Sequence, residues 1–143
     1  MRNRYVVAVD LGGTNVRLGL VDPKGRLLRR RRVRTIAFER KASLYQWLAA
    51  TLTDFIRSNR DLGLPRCAAI GFAGPTSAKA GLVYYAPNVG RFTRLEVRRH
   101  LEQDLGMPVV IENDANCAAL GEFWRGAGRG ARSLFLFTLG TGI

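Results

Sequence analysis

Two acidic residues stand where the chain can do chemistry. Asp10 ends an apolar run, residues 5–9, and is followed at once by Leu11, Gly12, Gly13 and Thr14; alternating apolar residues then resume through Val21. An acid at a strand end, two glycines and a hydroxyl suit a phosphate. Successive backbone N–H groups in a tight turn form an anion-binding concavity, and Thr14 adds a hydroxyl donor. Asp10 beside it could hold Mg²⁺ directly or through water. Taken alone, the same stretch also suits an ordinary hairpin. The second acid is Asp114, in Glu112-Asn113-Asp114-Ala115-Asn116, directly after the apolar residues 109–111 and before an alanine-rich helical segment. A carboxylate at a helix start is favoured in its charged form and can accept a proton. By itself, Asp114 reads equally as a helix cap.

Other groups are less productive. His100, the single histidine, lies on an expected amphipathic helix as a surface residue, without a partner for nucleophilic or metal chemistry. Residues 126–130, Gly-Ala-Gly-Arg-Gly, follow a helix rather than a strand and read as a linker. There is no Gly-x-x-x-x-Gly-Lys-Ser/Thr loop. Cys67 and Cys117 are far apart in apolar surroundings and are expected as buried thiols.

Several elements must position these residues. The 143 residues, 47% hydrophobic, are enough for one domain with a core. No apolar run is long enough to span a membrane, and the N-terminal run ends in Asp10 rather than a cleavage site, so a cytoplasmic protein is expected. Strands are expected over residues 5–11 and 16–21, with Val16, Leu18 and Leu20 on one face. Asp22-Pro23-Lys24-Gly25 is a turn. Residues 26–35 are too rich in arginine for a central strand and read as a sheet edge. Ser43 and Gln46 form a capping box for a helix carrying Leu44, Trp47, Leu48, Leu52, Phe55 and Ile56. A strand over 67–72 breaks at Gly71-Phe72-Ala73-Gly74-Pro75, and a short strand at 81–85 precedes Ala86-Pro87-Asn88. Thr93 and Glu96 form a second capping box, for a helix carrying Leu95, Val97, Leu101 and Leu105. Then come a strand at 109–111, the alanine-rich helix to Gly126, and a last strand at 134–139 before Gly140-Thr141-Gly142. The order is βββαβαβα and one more strand: an α/β protein with a mixed sheet. The end, LFLFTLGTG, is similar to VVAVDLGGT at the start, as though it opened a second copy of the same unit.

The net charge of +12 would attract polyanions, but the basic residues are spread out. The cluster at 26–34 lacks aromatic interleaving, so nucleic-acid binding is not expected.

Four stretches in order, DLGGTN (10–15), GFAGP (71–75), PN (87–88) and ENDANCAALGE (112–122), followed by TLGTGI, resemble the repressor–ORF–kinase (ROK) family, which includes bacterial glucokinases. The resemblance implies an actin-like, ribonuclease H-like fold with sugar and ATP between two lobes. Residues 1–130 would be the N-terminal lobe, and 131–143 the first strand and phosphate turn of a truncated second lobe. It implies an ATP-dependent hexose kinase, with glucose the expected sugar and the chain by itself inactive. In it Asp114 accepts the sugar hydroxyl's proton. Gly74, Asn88, Asn113 and Asp114 contact the sugar. Gly12, Gly13 and Thr14, opposed by Gly140, Thr141 and Gly142, hold the ATP phosphates, and Asp10 organises Mg²⁺. A homodimer is implied for a full-length protein. The family's zinc motif has no counterpart in these residues, so no zinc is assigned. The rival functions are a sugar-sensing regulator of the same family, disfavoured by the nine residues before Asp10, and a basic nucleic-acid-binding ribonuclease H-like module.

Overall fold

A computed structural model describes residues 5–139. A five-stranded sheet forms its centre: β1 (Val6–Leu11), β2 (Asn15–Val21), β3 (Leu27–Arg34), β4 (Ala68–Phe72) and, last in sequence, Val109–Asn113. A second sheet lies between β4 and that last strand. It comprises β5 (Thr76–Ser77), β6 (Leu82–Ala86) and β7 (Phe92–Leu95), all antiparallel. Val109–Asn113 is therefore β8. The large sheet has the order β3-β2-β1-β4-β8; β1, β2 and β3 are antiparallel neighbours, and β1, β4 and β8 run parallel. The mixed sheet is as expected, and β3 is its edge. The small sheet enlarges the expected order, because residues 76–95 hold three short strands where one was expected.

Helices α1 (Lys41–Arg57) and α2 (Val97–Leu105) cover one face of the large sheet. The core lies there: Val7, Val9 and Leu11 from β1, Val16, Leu18 and Leu20 from β2, Ile70 and Phe72 from β4, and Ile111 from β8 meet Leu44, Leu48, Leu52 and Phe55 of α1 and Leu101 of α2. Each of these aliphatic or aromatic side chains gains roughly 1.5–3 kcal/mol from leaving water. The opposite face carries α3 (Asp114–Arg125), which buries none of its side chains; Leu120, Phe123 and Trp124 remain exposed.

Neither expected capping box forms. Helix α1 starts at Lys41, with Arg40 as a cap residue that makes no side-chain hydrogen bond. Phe38, buried against Trp47 with ring centres 5.4 Å apart, fixes the chain's entry ahead of Ser43, which therefore falls within the helix. Thr93 is held in the β6–β7 ladder opposite Tyr85, and Leu95 belongs to the same strand. The chain can turn into α2 only at Glu96, whose carboxylate pairs with Arg99 at 2.5 Å rather than capping.

Residues 134–139 form no strand. None of the described strands runs beside them, and a strand is held by its ladder. Phe135, Phe137 and Leu139 are exposed instead. Neither expected buried thiol is fully buried: Cys67 is half-buried and Cys117 exposed, because α3 buries none of its side chains against the sheet. His100 is not a plain surface residue: it is half-buried and stacked on Tyr45, ring centres 4.1 Å apart.

Candidate active site

Parallel pairing aligns the acids. Asp10 lies opposite Gly71, and Gly71 opposite Glu112; in the next row stand Leu11, Phe72 and Asn113. Asp10 and Glu112 are thus two strand spacings apart, about 10 Å in backbone separation. All three strands point their carboxyl ends to one edge, where open α/β sheets place their ligands. Gly71 lets α3 start close above the sheet. A Cβ there would lie 3.5 Å from both the Asp114 Cα and the Cys117 Sγ.

The switch from β8 to α3 is made by Asn113. Its Oδ1 accepts hydrogen bonds from the N–H groups of Ala115 and Asn116, at 3.0 and 3.1 Å, and its Nδ2 donates to the Gly74 carbonyl at 3.0 Å. Asn113 is therefore the helix cap, which leaves Asp114, in the first turn, free of that duty. One oxygen of Asp114 accepts from Ala115 N–H at 2.8 Å; the other has no donor among the described residues. Glu112, unassigned from sequence, accepts from Asn113 N–H at 2.8 Å and Asn116 Nδ2 at 3.1 Å, bracing the same turn. Partial desolvation pushes the Cys117 thiol up, and the charges of Glu112, Asp114 and Asp10 push it further. Three carboxylates thus act on the start of α3.

The glycine turn closes with Gly12 N–H donating to Asn15 O at 3.1 Å. Neither Gly12 nor Gly13 has a positive φ, so a left-handed backbone is not their reason. Space is: a Cβ on Gly12 would stand 3.0 Å from Asn15 O, and one on Gly13 2.9 Å from Asn88 Cβ. The N–H groups of Gly13 and Thr14 have no acceptor among the described residues, and both residues are exposed. Thr35, buried at the end of β3, ties the turn down: its N–H donates to Thr14 O at 3.0 Å and its hydroxyl to Gly12 O at 2.8 Å. Gly74 does need its freedom. Its φ is +125°, and a Cβ would overlap the Tyr85 carbonyl.

The structure therefore brings Gly13 against Asn88, in a short 3₁₀ turn (Pro87–Val89), and Gly74 against Asn113 beside Asp114. Asp10 is half-exposed, and Arg17, its cross-strand neighbour, donates to it at 2.8 Å. Sequence reading missed Arg17, Thr35 and Glu112. A charge inside the apolar strand Asn15–Val21 was the available signal for Arg17; the other two are visible only through register. Gly140, Thr141 and Gly142 lie outside the described residues. Among the described residues no three metal-binding side chains cluster. A single half-exposed carboxylate beside the glycine turn nevertheless fits Mg²⁺, which is bound through one or two carboxylates together with a substrate's phosphates.

The sheet order is that of an actin-like, ribonuclease H-like α/β lobe. The chain belongs to the ROK family, whose model matches residues 6–143. It is 34% identical over 138 residues to a beta-glucoside kinase from Listeria monocytogenes, covering 96% of this chain and 44% of that protein. A crystal structure of a ROK family glucokinase from Streptomyces griseus, in complex with glucose and AMPPNP, superposes with a TM-score of 0.75 at 32% identity, covering 88% of this chain and 38% of that one. The inorganic polyphosphate/ATP-glucomannokinase from an Arthrobacter strain gives a TM-score of 0.77 at 31% identity, over 90% of this chain and 51% of that one. The chain spans less than half the length of the curated relatives it matches.

Proposed function

We propose that this chain carries the catalytic base, the sugar contacts and one phosphate turn of an ATP-dependent hexose kinase, with glucose as the sugar. The observation that carries the reading is the shared rim at the carboxyl ends of β1, β4 and β8. There lie an Asp114 oxygen and the N–H groups of Gly13 and Thr14, all without partners among the described residues, together with Asn88 and the Gly74–Asn113 pair. Phosphoryl transfer asks for these parts: a group to accept the hydroxyl proton, contacts that align the sugar, and donors for phosphate oxygens. Asp114 accepts the proton from the attacking hydroxyl. Asn113 keeps one amide N–H for the sugar after its cap and Gly74 bonds are counted. Asn88 adds a second amide. Mg²⁺ held by Asp10 would offset the charge of the phosphates, and Arg17 would then give up its bond to that carboxylate.

Residues 1–130 form the sugar and phosphate lobe in this reading, and 131–143 open the second lobe with the clamp Gly140-Thr141-Gly142. The exposed Leu120, Phe123, Trp124, Phe135 and Phe137 are the apolar surface that such a lobe would cover. A dimer and a cytoplasmic location belong to the same proposal; no helix among the described residues is long and apolar enough to cross a membrane.

The test uses the protein encoded by the complete reading frame, in a coupled ADP-release assay with glucose, mannose, fructose, N-acetylhexosamines and beta-glucosides. Asp114→Asn should lower kcat at least a hundredfold while glucose binding, followed by calorimetry, is retained. Turnover that survives in that variant would sink the base assignment, and a wild-type enzyme idle on every sugar would sink the kinase reading.

A further inference from the structure

The Gly12-Gly13-Thr14 turn contains two adjacent glycines, which leave a backbone more conformational freedom than other residues would. Donors that stabilise a phosphate are effective when their direction is fixed before the ligand arrives. The Gly12 N–H closes the turn on Asn15 O at 3.1 Å. From outside, one residue holds it through two bonds. Thr35 Oγ1 donates to Gly12 O at 2.8 Å, and Thr35 N–H donates to Thr14 O at 3.0 Å. These bonds differ in what they ask of the sequence. Any residue but proline supplies the second, whereas the first needs a side-chain donor at position 35.

A peptide unit is planar and trans, so the carbonyl of Gly12 and the N–H of Gly13 share one rigid plane and point opposite ways. The Thr35 hydroxyl draws the Gly12 carbonyl toward a buried side chain. The Gly13 N–H is thereby turned the other way, on an exposed residue and without an acceptor among the described residues. Thr35 is itself anchored on both sides. Arg34 before it is paired with Asn15 in the β2–β3 ladder, and Phe38 after it is buried against Trp47. A buried hydroxyl needs an acceptor, and many carbonyls would serve. The one it meets belongs to the peptide that carries the Gly13 N–H.

We propose that Thr35 is a positioning residue for the phosphate donor: its hydroxyl locks the Gly12–Gly13 peptide with the Gly13 N–H aimed at the phosphate oxygens. The role of the turn rests on the kinase reading; the part given to Thr35 goes beyond it. Thr35 acts through the peptide plane and not by contact with the nucleotide. Without the hydroxyl, Gly12 O loses its donor and the plane can rotate, so part of the donor's advance alignment is lost. Asn113 and Gly74 bond to one another and not to the turn, so the sugar contacts they supply are left in place.

The experiment uses the protein encoded by the complete reading frame, as wild type, Thr35→Val and Thr35→Ser. Valine keeps the shape and the backbone N–H and removes the hydroxyl; serine restores it. Calorimetry measures AMPPNP with Mg²⁺ and, separately, glucose; steady-state rates give kcat and KM for ATP. Thr35→Val should weaken AMPPNP binding about fivefold or more and lower kcat/KM for ATP about tenfold or more, while glucose affinity stays within about threefold. Thr35→Ser should recover most of both losses. A hydroxyl that serves folding alone would lower stability without this split between nucleotide and sugar. AMPPNP affinity unchanged in Thr35→Val, equal losses for AMPPNP and glucose, or Thr35→Ser as damaging as Thr35→Val would each overturn the proposal. If circular dichroism shows that Thr35→Val does not fold, Thr35→Ser is compared with Thr35→Ala, which differs from it by the hydroxyl alone. A wild-type protein that binds AMPPNP and phosphorylates no sugar ends the kinase reading and leaves the Thr35 comparison readable by calorimetry. A wild-type protein that binds no AMPPNP overturns the phosphate role of the turn and this proposal with it.

Discussion

Asn113 joins the fold to the candidate chemistry, and its replacement separates two roles. In Asn113→Ala, α3 loses the acceptor of the Ala115 and Asn116 N–H groups, and Gly74 O loses its amide donor. An N-cap is worth about 1 kcal/mol, up to about 2, and a neutral hydrogen bond about 1, so the loss is roughly 2–3 kcal/mol. Helix α3 buries no side chain, so little packing offsets it, and the loss should appear as local opening rather than global unfolding. Amide hydrogen exchange reads this directly. Amides of residues 118–122 should exchange roughly 30–160-fold faster in the variant, while those of β1 and β4 keep their protection. Asn113→Ser keeps an acceptor for the cap but loses the amide that donates to Gly74, and should show about a third to a half of the free-energy loss. Exchange in α3 unchanged by Ala, or Ser as damaging as Ala, would refute the argument that the cap holds Asp114 in place.

Further expectations concern the turns. Gly74→Ala and Gly106→Ala both place a side chain at positive φ, +125° and +64°, but only at Gly74 does the new Cβ meet backbone. Gly106→Ala should cost about 1 kcal/mol and Gly74→Ala at least about 3 in urea denaturation; equal costs would show that close approach is not the constraint. Backbone N–H donation from Arg26 holds the Asp22 carboxyl below its ordinary value; desolvation opposes it, and the Arg26 guanidinium and the Lys24 N–H add to the lowering. A carboxyl lowered by folding stabilises above about pH 4, its unfolded range, and loses that contribution as pH falls through the folded value. The stability advantage of wild type over Asp22→Asn should therefore shrink as pH falls below about 4; an advantage independent of pH would contradict it. Arg17→Ala in the complete enzyme should alter the Mg²⁺ concentration for half-maximal rate more than the KM for sugar, because Arg17 touches Asp10 and not the sugar contacts; a change confined to sugar KM would count against Asp10 as the metal's carboxylate.

Much of this was legible in the residues. Val16, Leu18 and Leu20 alternate, and all three are buried; β3 announced itself as an edge by its arginines. Asp10 and Asp114 stood out because Asp10 follows an apolar run directly and Asp114 follows residues 109–111 after two polar residues, which puts polar groups at a strand end. Capping was misread twice. Ser43 and Thr93 have the right spacing, but Phe38 packing and the β6–β7 ladder set where each helix begins, and neither is encoded within four residues. The strand expected at 134–139 has the right composition, yet composition supplies no ladder partner.

The sequence by itself determined which face of each strand is apolar, which residues can accept a proton or donate to a phosphate, and the family to which they belong. These follow from side-chain chemistry and from periods of 2 and 3.6 residues. Only the tertiary structure decided that Gly13 lies against Asn88, that Asn113 rather than Asp114 caps α3, and that Arg29 and Arg31 pair with acids while Arg30, Arg32 and Arg34 have no carboxylate partner among the described residues. The physical reason is register: parallel pairing of β1, β4 and β8 brings Asp10, Gly71 and Glu112, far apart in sequence, into one row through hydrogen bonds between strands, which no local pattern contains.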